Sequence, residues 1–172
     1  MNRKLTVTLL VIACFCLQCT LFKTLSLAFI APNLLIVVTS SFGFMRGKKE
    51  GLIIGFFSGL LIDIFYGDAL GFYALIYMYI GYVNGFFNKI FYDEDIKLPM
   101  VLITLSDLFY GLIIYLFLFL LRARLDFGYY FIHIIMPEVI YTVVVTIVLY
   151  RIIRWLNRKL ERREKGSASN FV

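Results

Sequence analysis

The chain has 172 residues, of which 62% are hydrophobic and only 16% charged. A water-soluble domain of this size carries more charge on its surface, so a soluble globular protein is excluded, and with it a separate soluble catalytic domain. The net charge of +6 lies in short runs between apolar segments, a placement that reports membrane orientation rather than nucleic-acid binding.

A spanning helix needs roughly 20 mostly apolar residues to cross a hydrocarbon layer about 30 Å thick. Apolar runs fall at Leu5–Phe22, Phe29–Met45, Leu52–Tyr66, Phe72–Phe87, Leu98–Leu121 and Ile134–Ile153. Unpaired backbone groups are too costly in lipid, and strand-like alternation is missing, so each run predicts a helix. The expected fold is an all-α polytopic bundle of six spans in a single domain, residues 1–165. Residues 154–165 form a basic cytoplasmic extension and 166–172 a disordered tail.

The first run follows Arg3-Lys4 and superficially resembles a signal peptide, but it exceeds the ~7–15 apolar residues of one and reads as an uncleaved span. Its three cysteines, Cys14, Cys16 and Cys19, are odd in number and point to different sides of a helix. They read as buried, inert thiols. Ala31-Pro32-Asn33 opens the second run, and Arg46-Gly47-Lys48-Lys49-Glu50 separates it from the third.

In the third run Gly51, Gly55 and Gly59 recur every fourth residue and Asp63 continues the series, which makes a smooth helix face ending in a carboxylate. Such a face lets a second backbone approach closely, either a helix of the same chain or a partner's. A carboxylate in a span costs roughly 2.5–3.5 kcal/mol on insertion scales, so Asp63 is expected to brace the Gly67–Gly71 turn, bond a neighbouring helix or face an aqueous cavity. Tyr73, Tyr77, Gly81 and Gly85 form a comparable face on the fourth run, with Asn84 close by. Asp107 lies beside Ser106 and Tyr110 in the fifth, and Glu138 follows Pro137 at the start of the sixth, with Thr142 and Thr146 on its face. Asn84, Asp107 and Glu138 are expected to meet as an intramembrane polar cluster, through interhelical hydrogen bonds or around a ligand pocket or proton path. The single histidine, His133, has no companions for metal or nucleophilic chemistry, and no cofactor or metal is expected.

Arg151, Arg154, Arg158 and Arg162 make a basic stripe at helical spacing beside Trp155. It suits anchoring at anionic lipid headgroups, or docking of a cytoplasmic partner. With the N-terminus inside, Lys and Arg residues crowd the cytoplasmic side from Arg3 to Lys165, and only Lys23, Arg122 and Arg124 fall outside. That asymmetry predicts both ends in the cytoplasm.

The order of these features resembles the rod shape-determining protein MreD family of bacteria. The resemblance is carried by Ala31-Pro32-Asn33-Leu34-Leu35, Arg46-Gly47, the Gly51–Asp63 block with Gly55-Phe56 and Gly59-Leu60, and Gly67 and Gly71. It implies a non-enzymatic scaffold of the cell-elongation machinery in the cytoplasmic membrane. The implied partners are MreC, the actin-like MreB filaments and the RodA–penicillin-binding-protein synthase of lateral peptidoglycan. Pro32, Gly55, Gly59 and Asp63 are then structural or interface positions. The family also looks like the six-helix substrate-binding subunits of energy-coupling-factor transporters. That likeness keeps open a rival reading, a small-molecule binding subunit with Asp63, Asn84, Asp107 and Glu138 around a pocket. An intramembrane enzyme acting on lipid-linked precursors has only those acids behind it.

Overall fold

The computed structural model describes residues 3–20, 31–67, 70–90, 96–120 and 127–169. Among these residues regular structure is helical throughout, with no strand. The helices are α1 (Arg3–Cys19), α2 (Leu34–Arg46), α3 (Lys48–Tyr66), α4 (Phe72–Asn84), α5 (Lys97–Ile114), α6 (Phe127–Tyr130) and α7 (Met136–Ser169). A 3₁₀ turn, Gly85–Lys89, extends α4, and wider π turns at Tyr115–Leu120 and Phe131–Ile135 extend α5 and join α6 to α7. Lys97–Phe117 and Phe127–Arg162 are each long and apolar enough to cross a membrane.

The centre of the bundle is α2. Every residue from Leu34 to Met45 is buried, and α2 packs against α1, α3, α4, α5 and α7. A helix that is apolar all round belongs inside, and this one is also short: 13 residues rise only about 20 Å. Its start departs from the sequence expectation. The second apolar run was expected to be helical from Phe29, yet residues 31–33 are not helical and α2 begins at Leu34. The reason is local. Pro32 disfavours helical geometry before it, and the Asn33 side chain caps α2 by accepting the Ile36 N–H at 3.3 Å.

A single residue, Gly47, turns α2 into α3. Its φ of +94° is open to glycine and strained for other residues, and its N–H closes the last turn of α2 on the Gly43 carbonyl at 2.7 Å.

Three further expectations need correction. The sixth apolar run is expected from Ile134, but helix resumes earlier, at Phe127. Phe127 packs edge-on and Tyr130 tilted against Tyr115, with ring centroids 5.0 and 5.1 Å away, which favours ordered backbone there. The expected disordered tail from Gly166 is helical through Ser169; residues 170–172 lie outside the described residues. Extending a formed helix costs little per residue, and one glycine adds only about 1 kcal/mol. Of the cysteines only Cys14 is buried; Cys16 is exposed and Cys19 half-buried, as their helical spacing requires.

Candidate functional site

The glycine face of α3 is filled by α4 of the same chain. A Cβ on Gly55 would lie 2.7 Å from the Tyr77 carbonyl carbon, and one on Gly59 2.6 Å from the Ala74 nitrogen. A Cβ on Gly51 would lie 2.7 Å from Gly43 Cα and 2.9 Å from the Gly81 carbonyl carbon. These neighbours are backbone atoms that have no rotamer to escape into. Three helices thus converge on the glycine trio Gly43, Gly51 and Gly81, and no second chain can occupy this face while α4 holds it.

The stripe ends at Asp63, which is 2% exposed. Its carboxylate accepts the backbone N–H groups of Gly71, Tyr73 and Ala74 at 3.0, 2.9 and 2.9 Å. The first turn of a helix has unpaired N–H groups and a positive dipole end, and α4 has no capping side chain of its own. Asp63 of α3 supplies that cap across the turn. Gly71, at φ +102°, allows the chain to reverse into α4. Gly67 closes α3 by donating its N–H to the Asp63 carbonyl at 3.1 Å. Leu70, directly before Gly71, is 76% exposed.

The interior polar groups divide into two networks. In the first, the Asn84 amide donates to Ser106 Oγ at 2.7 Å and to the Ile80 carbonyl at 2.9 Å, while Ser106 donates to the Leu102 carbonyl at 2.7 Å. In the second, the Tyr77 hydroxyl donates to Asn33 Oδ1 at 2.7 Å and the Asn33 N–H donates to Thr142 Oγ1 at 3.1 Å. Tyr110 lies against Tyr77 with ring centroids 5.4 Å apart. Asp107, 2% exposed, sits near Thr142 and the half-buried Glu138, and neither of its carboxylate oxygens makes a hydrogen bond. Asn84 is bonded to Ser106, the residue before Asp107, and Asp107 and Glu138 lie within electrostatic reach of each other.

Asn33 is the junction that sequence reasoning passed over. It caps α2, receives Tyr77 from α4 and donates to α7. The only local signal was an asparagine directly before an apolar helix.

Two ionic contacts fasten the end of the bundle where α2 turns into α3. The Arg3 guanidinium donates to the Glu50 carboxylate, tying α1 to α3. Arg46 Nε donates to Asn157 Oδ1 at 2.6 Å, and Asn157 in turn donates to Glu161 Oε1 at 3.0 Å. The far half of α7 is thereby docked on α2 through Ile153, Asn157 and Leu160, which are all buried. Arg151, Arg158 and Arg162 of the basic stripe are exposed and Arg154 is half-buried. Lys159 lies 4.8 Å above the Trp155 ring. His133 stacks on Tyr129 at an exposed position, and among the described residues no three His, Cys, Asp or Glu side chains come together as metal ligands. Pro32 is buried just ahead of the Asn33 cap.

The architecture defines the class: an all-helical chain with membrane-capable helices whose polar side chains turn inward to bond one another. Within that class the chain belongs to the rod shape-determining protein MreD family, whose description matches residues 1–160. No curated protein and no solved structure matches the chain. The family is described by a role in rod shape rather than by a catalysed reaction.

Proposed function

We propose that this chain is a non-enzymatic scaffold of the bacterial rod-shape machinery, and that it holds an MreC-like membrane protein at the outer turn between α3 and α4. The observation that carries this reading is the turn itself. Asp63 accepts three backbone N–H groups where the turn enters α4, and Leu70, just ahead of them, is 76% exposed. An apolar side chain exposed beside a pinned backbone is a low-entropy contact for a partner. Family membership points to rod-shape determination as the setting. Through that partner the scaffold would support the RodA–penicillin-binding-protein synthase and MreB filaments.

In this reading the chain crosses the cytoplasmic membrane six times with both ends inside. Its Arg151, Arg154, Arg158 and Arg162 stripe rests on anionic headgroups. The short α2 is tolerable as a crossing because neighbouring helices, rather than lipid, surround it. The rival reading as a transporter's binding subunit keeps only Asp107 and Glu138, because Asp63 and Asn84 are engaged elsewhere.

The test is co-purification from gentle detergent of an MreC-like partner with wild-type protein and with Leu70→Glu. The variant should elute as wild type does yet lose the partner. Undiminished capture removes the outer turn as the contact. For the orientation, a periplasm-dependent reporter fused after Val172 should stay silent, and an active one overturns the even number of crossings.

A further inference from the structure

We propose that a cleft between α1 and α3 is a binding site for one anionic phospholipid, with an acyl chain in the cleft and the phosphate at Arg3 and Lys4. This inference is independent of the scaffold reading and concerns a face that the outer turn does not touch.

The cleft has a volume of about 460 Å³. Its walls are apolar, with Val11 and Ile12 of α1 facing Ile53, Phe57, Leu60 and Ile64 of α3. Its charged residues gather at one end, where Arg3, Lys4 and Glu50 line the mouth and two cations stand against one carboxylate. A trough with apolar walls and a net positive mouth at a single end complements an amphiphile whose head is an anion.

The size favours an acyl chain over a partner helix. A methylene takes about as much room as a water molecule, ~30 Å³, so the cleft accepts roughly fifteen, about one fatty chain. An α-helix with its side chains is about 10–12 Å across and would have to prise α1 from α3. Both ends of that seam are fastened. Arg3 binds Glu50 at the mouth, and Phe15 packs on Phe65 and Tyr66 at the far end, with ring centroids 5.1 and 6.3 Å away. The middle is open, and Ile53 and Phe57 are 52% and 56% exposed beside it.

In a bilayer the walls alone give little selectivity, because the surrounding tails are as apolar as the cleft. Discrimination falls to the headgroup, where Arg3 and Lys4 offer charge-assisted donors to the phosphate.

Native mass spectrometry tests this with protein reconstituted in an equal mixture of phosphatidylglycerol and phosphatidylcholine carrying identical chains. Wild type should retain one phosphatidylglycerol in several-fold preference. Ile53→Trp, which fills the trough, should lose the lipid, and Lys4→Gln should lose the headgroup preference. The Arg151, Arg154, Arg158 and Arg162 quadruple alanine variant should keep both, which separates this site from the basic stripe. A photoreactive residue at Phe57 should cross-link to lipid. Equal retention of the two lipids, no effect of Ile53→Trp in protein that elutes normally, or cross-linking of Phe57 to a protein instead of a lipid would overturn the assignment.

Discussion

Replacing Asp63 tests how α3 and α4 are held as one unit. The carboxylate accepts three backbone N–H groups, and hydrogen bonds to a charged acceptor contribute about 1.5–3 kcal/mol each. In Asp63→Ala the Gly71 N–H, at the edge of the turn, can pair with water, leaving Tyr73 and Ala74 without acceptors. Two lost bonds at the lower end of that range give roughly 3 kcal/mol. Ordinary helix caps cost about 0.5–2 kcal/mol when removed, and this one exceeds them because its donors are less exposed. Asp63→Asn keeps one acceptor oxygen but turns an amide toward a donor and loses the charge, so about half the penalty, ~1.5 kcal/mol, is expected. A loss of 3 kcal/mol lowers the folded-to-unfolded ratio about a hundredfold.

Two measurements read this out. Reversible unfolding in mixed detergent and denaturant, followed by far-ultraviolet circular dichroism, should rank wild type above Asn above Ala. Hydrogen exchange should show the amides of residues 71–74 losing protection ahead of the rest of α4. If Asp63→Ala unfolds within about 0.5 kcal/mol of wild type and those amides stay protected, the cap contributes nothing and the turn is held some other way.

The other predictions concern packing and docking. Gly55→Ala places a Cβ 2.7 Å from the Tyr77 carbonyl carbon, and overpacking of this kind should cost about 1–3 kcal/mol by the same unfolding assay. Gly128→Ala, where a Cβ meets nothing within 4 Å, should be neutral or slightly stabilising. Equal behaviour of the two variants would contradict the close approach of α3 and α4. Arg46→Gln shortens a side chain that is only 11% exposed and bonds Asn157. Trypsin should then cut after Arg158 and Lys159 markedly faster, and an unchanged digestion rate would show that α7 is docked without Arg46.

What the sequence disclosed was local and periodic. The four-residue spacing from Gly51 to Gly59 marked a face of close approach, and the carboxylate one turn further, followed by Gly67 and Gly71, pointed to a braced turn. The same spacing also runs back through Gly47 to Gly43. That continuation was unreadable as a helix face because Gly47, at φ +94°, turns α2 into α3; Gly43 reaches Gly51 by folding back, not by lying along one face. Periodicity names the face that is smooth and leaves open which neighbour fills it. The polar residues show the same limit from another side. Asn84 and Ser106 sit 22 positions apart and Asn33 and Thr142 sit 109 apart, so their pairing depends on the order in which helices surround α2.

That dependence explains why the inward-facing polar residues are poor guides to chemistry in this chain. A buried polar group left without a partner is costly, so most meet another wherever the helices happen to place them; the Asp107 carboxylate, buried with neither oxygen hydrogen-bonded, is an exception that carries charge chemistry. Asn33 shows how completely the requirement can absorb a residue: its side-chain oxygen serves both Ile36 and Tyr77, and its N–H serves Thr142. Residues spent in this way hold the helices in register and have little capacity left to bind a substrate. Inside, the Asp107–Glu138 pair keeps such capacity; the other positions that do face outward, Leu70 at the braced turn and the trough between α1 and α3 with Arg3 and Lys4 at its mouth. Partner and lipid recognition in this chain is therefore expected at its surface, on a frame held in register by its interior bonds.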